Sequence, residues 1–302
     1  MRLALRKASG RFFNDNLMSE IILPTDSNIY TAFQKIAGQQ RLVFFAGLPG
    51  TGKSLLIQQL AVIAQQAGRT VHLLQWDVTR GAFETAVILQ KYPEIDGSTH
   101  PAIRKAVGLW AREAVYRWAN SHDDSHLLIG EVPLIGNRLS ELSQPYNDAA
   151  EAVLSSPDCL FVIPAPNQAV RQVIETARAR TIANPRHEKE RKDAQPNVLQ
   201  LLWQQIAEIG AELGLTNRKL GKNVAYDPKV YTAVYQHLLQ HRHHQTLPID
   251  TVLTPNGSAY ALQINGTELA ATPSEVAAIM QKIEKKYTGD GLETAVANWY
   301  KT

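Results

Sequence analysis

The sequence predicts an α/β protein in which a mainly parallel β-sheet lies between helical layers, a three-layer α/β/α arrangement. Short, β-rich apolar runs alternate with longer helical patterns, which is typical of βαβ units whose sheet is covered by helices. The 302 residues are 44% hydrophobic and 20% charged, as in an ordinary folded protein. This composition excludes a disordered chain and a disulfide-stapled miniprotein.

Four apolar runs predict strands of this sheet. They lie at residues 42–46, 70–76, 126–130 and 159–163. A later β signal at residues 248–253 is followed by Asn-Gly pairs at 256–257 and 265–266, a dipeptide that favours hairpin turns. We therefore expect a further strand and a small C-terminal β-hairpin.

Helical periodicity fills the segments between and after these runs. The segment 53–67 is apolar almost all round and closes with Gly68, so it should be buried against the sheet. Pro101 suits the first turn of a second helix that runs to residue 119. Further helices are predicted at 167–183, at 198–213, at 227–240 and from Thr272 onward.

The domain organisation has two possible interpretations. A shift in composition near residue 194 could mark a domain boundary, or the late strand could rejoin the first sheet. We prefer one domain over residues 19–302 with a helical insertion at about 194–246. Residues 1–18, in which four basic residues face one acid, are interpreted as an N-terminal extension.

Composition also limits location and partners. The net charge of +3 is too small to indicate a nucleic-acid partner. A single cysteine, Cys159, cannot form an intramolecular disulfide, which favours a reducing cytoplasm. No stretch approaches the roughly 18 apolar residues of a membrane span, so we expect no membrane association.

The most specific motif is the run GLPGTGKS at residues 47–54, which fits G-x-x-x-x-G-K-[ST] between a predicted strand and helix. Glycines let successive backbone N–H groups surround phosphate oxygens, and the following helix adds its N-terminal dipole. The alternative is a simple glycine-rich turn between strand and helix. Such a turn would explain the glycines but not the lysine and serine at positions 53 and 54. The predicted nucleotide-binding residues are Gly47, Pro49, Gly50, Thr51, Gly52, Lys53, Ser54 and Leu55.

Through this motif and its flanking elements the chain resembles the P-loop nucleoside triphosphate hydrolase superfamily. The resemblance implies Mg²⁺ and a nucleoside triphosphate, with Lys53 at the β- and γ-phosphates and Ser54 at the metal. The chain lacks the N-K-x-D run of guanine-specific GTPases and the signature of transporter ATPases. We expect ATP as the nucleotide, with GTP as the alternative that the motif itself leaves open.

Acidic residues at two strand ends make the chain similar to small-molecule kinases such as gluconate kinases, zeta-type toxins and uridine kinases. Asp77 follows the second predicted strand, where such kinases often bind the acceptor hydroxyl. Glu131 follows the third, where the superfamily places the acid that holds Mg²⁺ through water. Asp77 remains a rival for this metal role, and it could also simply cap the next turn.

A local basic run follows the fourth predicted strand. Residues 171–192 contain seven lysines or arginines and three glutamates. In P-loop kinases this segment is a mobile lid whose arginines close over the phosphates, and the resemblance points to Arg178 and Arg180. The alternative is an exposed helix followed by a solvated charge run.

These observations favour an ATP- and Mg²⁺-dependent phosphotransferase that acts on a small hydroxyl-bearing acceptor of unknown identity. The expected catalytic residues are Lys53, Asp77, Glu131, Arg178 and Arg180, with Ser54 and Glu131 at the metal. The alternatives are a regulatory ATPase that binds a protein through residues 194–246 and an ATPase linked to nucleic acid. We do not interpret the histidines between residues 237 and 244 as a zinc site, because no cysteine or acid completes the set.

Overall fold

The structure is a computed structural model that describes residues 20–95, 97–185, 187–192, 194–217, 224–254, 258, 266–287 and 290–301. Its centre is a five-stranded sheet with the order β2-β3-β1-β4-β5, in which every pair of neighbours is parallel. The strands are β1 (Leu42–Ala46), β2 (Thr70–Gln75), β3 (His126–Val132), β4 (Cys159–Pro166) and β5 (His244–Ile249). The predicted α/β class with a parallel sheet is confirmed.

Helices make up most of the remaining described chain. They are α1 (Asn28–Gln39), α2 (Lys53–Gln66), α3 (Trp76–Gly81), α4 (Ala86–Lys91), α5 (Pro101–Ser121), α6 (Ala150–Leu154), α7 (Gln168–Ala183), α8 (Pro196–Glu212), α9 (Pro228–Leu238), α10 (Pro273–Lys286) and α11 (Gly291–Ala297). Two 3₁₀ turns lie at Ser140–Leu142 and Glu188–Lys192.

Helices pack against both faces of the sheet, because alternate residues of a strand point to opposite sides. Val43 and Phe45 of β1 belong to a hydrophobic cluster with α1 and α2. Leu42 and Phe44, on the other face, belong to a second cluster with α5, α8, α9 and α10. The continuously apolar β1 lies in the middle of the sheet, and all five of its residues are buried.

The connections diverge at the boundary between β1 and β4. From β1 the chain passes through α2 to β2 at one edge, and from β4 it passes through α7, α8 and α9 to β5 at the other. In open parallel sheets, ligands bind outside the carboxyl ends of the strands at such a divergence. The topology therefore directs attention to the loop that follows β1.

The fifth strand lies earlier than the sequence predicts. The sequence predicts a strand at 248–253, whereas β5 runs from His244 to Ile249 and pairs with residues 161–166 of β4. Pro248 lies inside the strand and not at its start. An edge strand tolerates proline because one row of its N–H groups needs no partner in the sheet.

Two further boundaries differ from their predictions. The strand expected at 126–130 continues to Val132 because Glu131 pairs with Phe45, so Glu131 lies within β3 and not after it. The strand expected at 70–76 ends at Gln75, and Trp76 begins α3. Asp77 consequently lies in the first turn of a short helix.

Helices α8 and α9 of the segment 194–246 belong to the connection between β4 and β5. Trp203 of α8 and Tyr235 of α9 lie in the same hydrophobic cluster as Phe44 of β1. The predicted C-terminal hairpin lies almost wholly outside the described residues. Residues 267–269 add a short pairing along β2, through hydrogen bonds from Leu73 N to Thr267 O (3.1 Å) and from Leu269 N to Leu73 O (2.8 Å).

Within the part of the chain that the structure describes, no helix combines the length and the apolar character needed to cross a bilayer.

Candidate functional site

The loop between β1 and α2 has the backbone of an anion cradle. We call residues 47–52 the glycine loop. Gly50 and Gly52 have φ angles of 79° and 85°, in the left-handed region that favours glycine, and Gly52 is the N-cap of α2. Since the first N–H groups of a helix lack partners within it, this geometry suits a negatively charged ligand.

Lys53 carries its ammonium group into this loop. Nζ donates hydrogen bonds to Gly47 O (2.8 Å) and Leu48 O (2.9 Å) and lies 3.4 Å from Oε1 of Glu131. Burial is the main cause that lowers the pKa of Lys53 below its usual range; Arg178 and Arg171 act in the same direction, and Glu131 opposes them. The surroundings therefore disfavour the positive charge on Lys53. An anion bound at the loop would stabilise that charge.

Arg171 of α7 also lies beside the glycine loop. A methyl group placed on Gly50 would be 3.8 Å from Nη2 of Arg171 and 3.8 Å from Nη1 of Arg178. Arg171 is only 2% exposed, and its Nε donates a 2.7 Å hydrogen bond to Glu175. Its Nη1 and Nη2 atoms are buried and have no hydrogen-bond partner among the described residues. Buried donors without partners are costly, so this guanidinium is suited to receive an acceptor group.

Three cations therefore converge on the glycine loop, and two carboxylates accompany them. The cations are Lys53, Arg171 and Arg178, and the carboxylates are Glu131 and Glu175. Cations gathered at the N-terminus of a helix favour an anionic ligand there.

Side chains of the following helices cover the loop. Leu199 of α8 lies 3.4 Å from the position that a methyl group on Gly50 would take, and a methyl group on Gly47 would collide with the hydroxyl of Tyr231. Thr51 is fully buried, and its hydroxyl donates a 2.9 Å hydrogen bond to Leu48 O. A surface cavity of about 710 Å³ between α5 and α10 shares no residue with the loop, so cavity volume does not mark this site.

The other predicted binding residues lie in the glycine loop or in the first turn of α2. Pro49, Ser54 and Leu55 are half-buried, and Ser54 is the second residue of α2. The Glu131 side chain is 21% exposed. Ser54 and Glu131 offer the oxygen ligands that suit Mg²⁺, and the contact between Lys53 and Glu131 places the carboxylate at the loop.

Asp77 lies at the carboxyl end of β2, with a side chain that is 75% exposed. Its Oδ1 is 3.2 Å from Nε of Arg80. Arg80 also donates from Nη1 to Glu84 Oε1 (3.0 Å) and to Thr99 Oγ1 (3.2 Å). Asp77 is thus accessible to a second ligand, while Arg80 is held in place from three directions.

Two more arginines meet at Gly136, in the loop after β3. Nη1 of Arg104 donates to Gly136 O (2.6 Å), and Nη1 of Arg138 donates to Ile135 O (3.1 Å). Burial lowers the pKa of Arg138 to about 10, with Arg104 and Arg80 acting in the same direction and Asp77 opposing them. We call Arg80, Arg104 and Arg138 the arginine cluster.

The loop that carries Arg138 has an unusual backbone. Leu134, Asn137 and Leu139 have positive φ angles of 62°, 60° and 62°. Such conformations persist only where the surroundings fix them, and they are concentrated at functional sites. A buried ion pair holds the Asn137 side chain: Lys105 Nζ lies 2.8 Å from Glu141 Oε1, which accepts a 3.1 Å hydrogen bond from Asn137 Nδ2.

The basic run on and after α7 divides into contacting and exposed residues. Arg171 and Arg178 contact the glycine loop, whereas Arg180 and Arg191 are exposed. Arg186 lies outside the described residues. Of the two lid arginines that the sequence indicated, only Arg178 reaches the loop in this structure.

Sequence reasoning did not single out Arg171 or Arg104. Arg171 and Arg178 are seven residues apart and therefore share one face of α7, whereas Arg180 lies two residues further round the helix. That spacing could have selected Arg171. Arg104 and Arg138 come from separate elements, and no local pattern connects them.

Comparison of the chain with known protein families, with curated proteins and with solved structures finds no match in any of the three.

Proposed function

We propose that the protein is a P-loop phosphotransferase that moves the γ-phosphoryl group of ATP to a hydroxyl group of a small, anionic acceptor. The observation that carries the proposal is the convergence of Lys53, Arg171 and Arg178 on the glycine loop, with two buried Nη atoms of Arg171 that have no partner among the described residues. The loop also lies at the divergence between β1 and β4.

The chain's own groups would bind and orient the triphosphate. The backbone N–H groups of the glycine loop and of the first turn of α2 would donate to the phosphate oxygens, and the ammonium of Lys53 would exchange its carbonyl partners for them. Ser54 and Glu131 would hold Mg²⁺, which neutralises phosphate charge when bound.

Arg171 and Arg178 would neutralise the charge that spreads over the transferred group. Leu199 covers the loop in the structure, so α7 and α8 would move outward to admit the nucleotide and return to exclude water. Return of these helices brings two guanidinium groups to the phosphates. Positioning and charge neutralisation are the main requirements of phosphoryl transfer, which needs no covalent intermediate.

The acceptor would lie between Asp77 and the arginine cluster. The acceptor's oxygen forms a bond to the γ-phosphorus, the bond to the β–γ bridging oxygen breaks with its electron pair leaving on ADP, and the proton passes to the Asp77 carboxylate. Arg104 and Arg138 would bind a phosphate or carboxylate group of the same molecule. The buried Nε of Arg104 has no hydrogen-bond partner within the described chain.

One observation favours a second function, a regulatory ATPase that binds a protein through α8. Leu201 is 62% exposed and Val198 is 37% exposed on this helix, whose neighbouring residue Leu199 covers the glycine loop. A partner bound to these side chains would therefore sense whether the loop is open. The two functions differ in what stimulates ATP turnover.

The deciding experiment measures ADP release with two matched sets of small hydroxyl compounds, one with a phosphate or carboxylate group and one neutral. The proposal predicts strong stimulation by a member of the anionic set and a phosphorylated product with one phosphate per ADP. Stimulation by neutral compounds alone contradicts the anionic acceptor. Turnover that no compound in either set raises contradicts the kinase and favours the regulatory ATPase.

A further inference from the structure

Three histidines from different parts of the chain meet at the amino end of the sheet, opposite the glycine loop. His72 is the third residue of β2, His126 is the first residue of β3, and His122 is the C-cap of α5. Thr70 and His126 are partners in the parallel register, so His72 lies two residues along the same face as His126. His72 is buried, and the other two are half-buried.

The ring nitrogens of this histidine cluster (His72, His122 and His126) are close enough to share one ion. One ring nitrogen from each residue lies within 4.8 Å of the others, and His72 Nε2 is 2.9 Å from His126 Nδ1. The three ring centroids are 4.6, 4.8 and 5.2 Å apart. Ligand nitrogens of a tetrahedral zinc site are about 3.3 Å apart, given Zn–N bonds of about 2.0–2.1 Å. Small side-chain rotations would give this geometry.

The outer nitrogens of two rings are already tied to the protein. His122 Nδ1 lies 2.9 Å from Trp118 O, and because a carbonyl only accepts, Nδ1 carries a hydrogen, so in the neutral ring Nε2 is the nitrogen with the lone pair. His72 Nδ1 lies 3.2 Å from Thr267 Oγ1. Metal-binding histidines usually make such an outer hydrogen bond, which fixes the tautomer and the ring orientation. The ring of His122 is also stacked on Trp118, with centroids 5.0 Å apart.

We propose that His72, His122 and His126 form a binding site for a divalent transition-metal ion, with Zn²⁺ as the best fit. Imidazole nitrogens suit Zn²⁺, whereas Mg²⁺ prefers oxygen ligands, so this site is chemically distinct from Ser54 and Glu131. Solvent would supply the fourth ligand, since His122 and His126 are half-buried. The ion would cross-link β2, β3 and the end of α5, and Thr267 would connect the cross-link to residues 267–269.

The experiment is a calorimetric titration of the metal-stripped full chain with Zn²⁺ in the presence of excess Mg²⁺. The expected result is one Zn²⁺ per chain that Mg²⁺ does not displace, together with a higher melting temperature. His122→Gln, at a half-buried position, should reduce the affinity by more than about 100-fold. Thr267→Val, which removes only the outer partner of His72, should reduce it by about 10- to 100-fold.

The matched control is the double variant His241→Gln and His243→Gln, which changes two exposed histidines outside the cluster. It should bind Zn²⁺ as the unaltered chain does. The proposal is overturned if the unaltered chain shows no zinc binding, which leaves a hydrogen bond between His126 and His72 as the reason for their contact. It is also overturned if His122→Gln and Thr267→Val both bind as tightly as the unaltered chain, or if the double variant loses the site.

Discussion

Arg171 holds its guanidinium against Gly50, where a methyl group would lie 3.8 Å from Nη2. This contact joins α7 to the glycine loop across the boundary between β4 and β1. It also leaves two buried nitrogen atoms of Arg171 without hydrogen-bond partners in the described chain. A bound phosphate would supply the missing acceptors, which makes Arg171 the strongest candidate for a phosphate-binding residue on α7.

Arg171→Gln should weaken the binding of Mg-ATP by about 10- to 100-fold, the range expected for loss of a charged hydrogen bond of about 1.5–3 kcal/mol. The matched control is Arg180→Gln on the same helix, at an exposed position. Isothermal titration calorimetry measures both. An equal loss of Mg-ATP affinity in the two variants would contradict a specific role of Arg171 in phosphate binding.

Arg138→Gln should raise the KM for the anionic acceptor by about 10- to 100-fold and leave the affinity for Mg-ATP unchanged, because Arg138 belongs to the arginine cluster and not to the glycine loop. Steady-state kinetics with the acceptor varied at saturating ATP measures the change. Arg191→Gln, at an exposed position, is the control. A parallel loss of ATP affinity in Arg138→Gln would contradict two separate subsites.

Ionised Glu151 contributes to the stability of the fold, and this contribution is lost as the pH falls into the acid range. Burial opposes its ionisation, but hydrogen bonds from Arg242, from Tyr146 N and from Arg112 outweigh burial and lower the pKa of Glu151 from 4.5 to about 2. Between these values the unfolded chain binds more protons than the folded one, so the free energy of unfolding falls as the pH falls.

Glu151→Gln should therefore flatten the dependence of the unfolding free energy on pH between about 4.5 and 2. Denaturant titrations at a series of pH values measure the slope. Glu94→Gln changes an exposed glutamate and should keep the original slope. An unchanged slope in Glu151→Gln would assign the acid sensitivity to other carboxylates.

Gly108→Ala should destabilise the fold by about 1–3 kcal/mol, the usual cost of an overpacked core. A methyl group at Gly108 would collide with the buried carboxylate of Glu141, the partner of Lys105. Gly38→Ala is the control, since a methyl group there meets no atom within 4 Å, and it should stabilise α1 by up to about 1 kcal/mol. Thermal unfolding compares the two variants, and equal melting temperatures would contradict the tight contact of α5 with Glu141.

The sequence predicts best those elements whose signals are local and continuous. The apolar run of β1 and the almost uniformly apolar α2 form as expected, and the two left-handed glycines lie within the motif between them. Strand β5 begins four residues earlier than predicted because its ends are set by pairing with β4, which no local pattern records.

Contacts between distant residues are the part that the sequence did not reveal. Arg104 and Arg138 meet because a left-handed loop returns the chain to α5. Parallel pairing of β2 with β3 brings His72 close to His126, and α5 ends at His122 just before β3 begins, so the three histidines meet. The adjacent histidines near residue 241 attract attention in the sequence, whereas the three that converge are up to 54 residues apart.

The most direct test of the central hypothesis is the calorimetric titration of the chain with ATP, with and without Mg²⁺, alongside the variant Lys53→Met. The hypothesis predicts one ATP per chain in the presence of Mg²⁺ and a loss of affinity of at least about 10-fold in the variant. Absence of binding by the unaltered chain, or equal affinity in Lys53→Met, would contradict the assignment of the glycine loop as a triphosphate site.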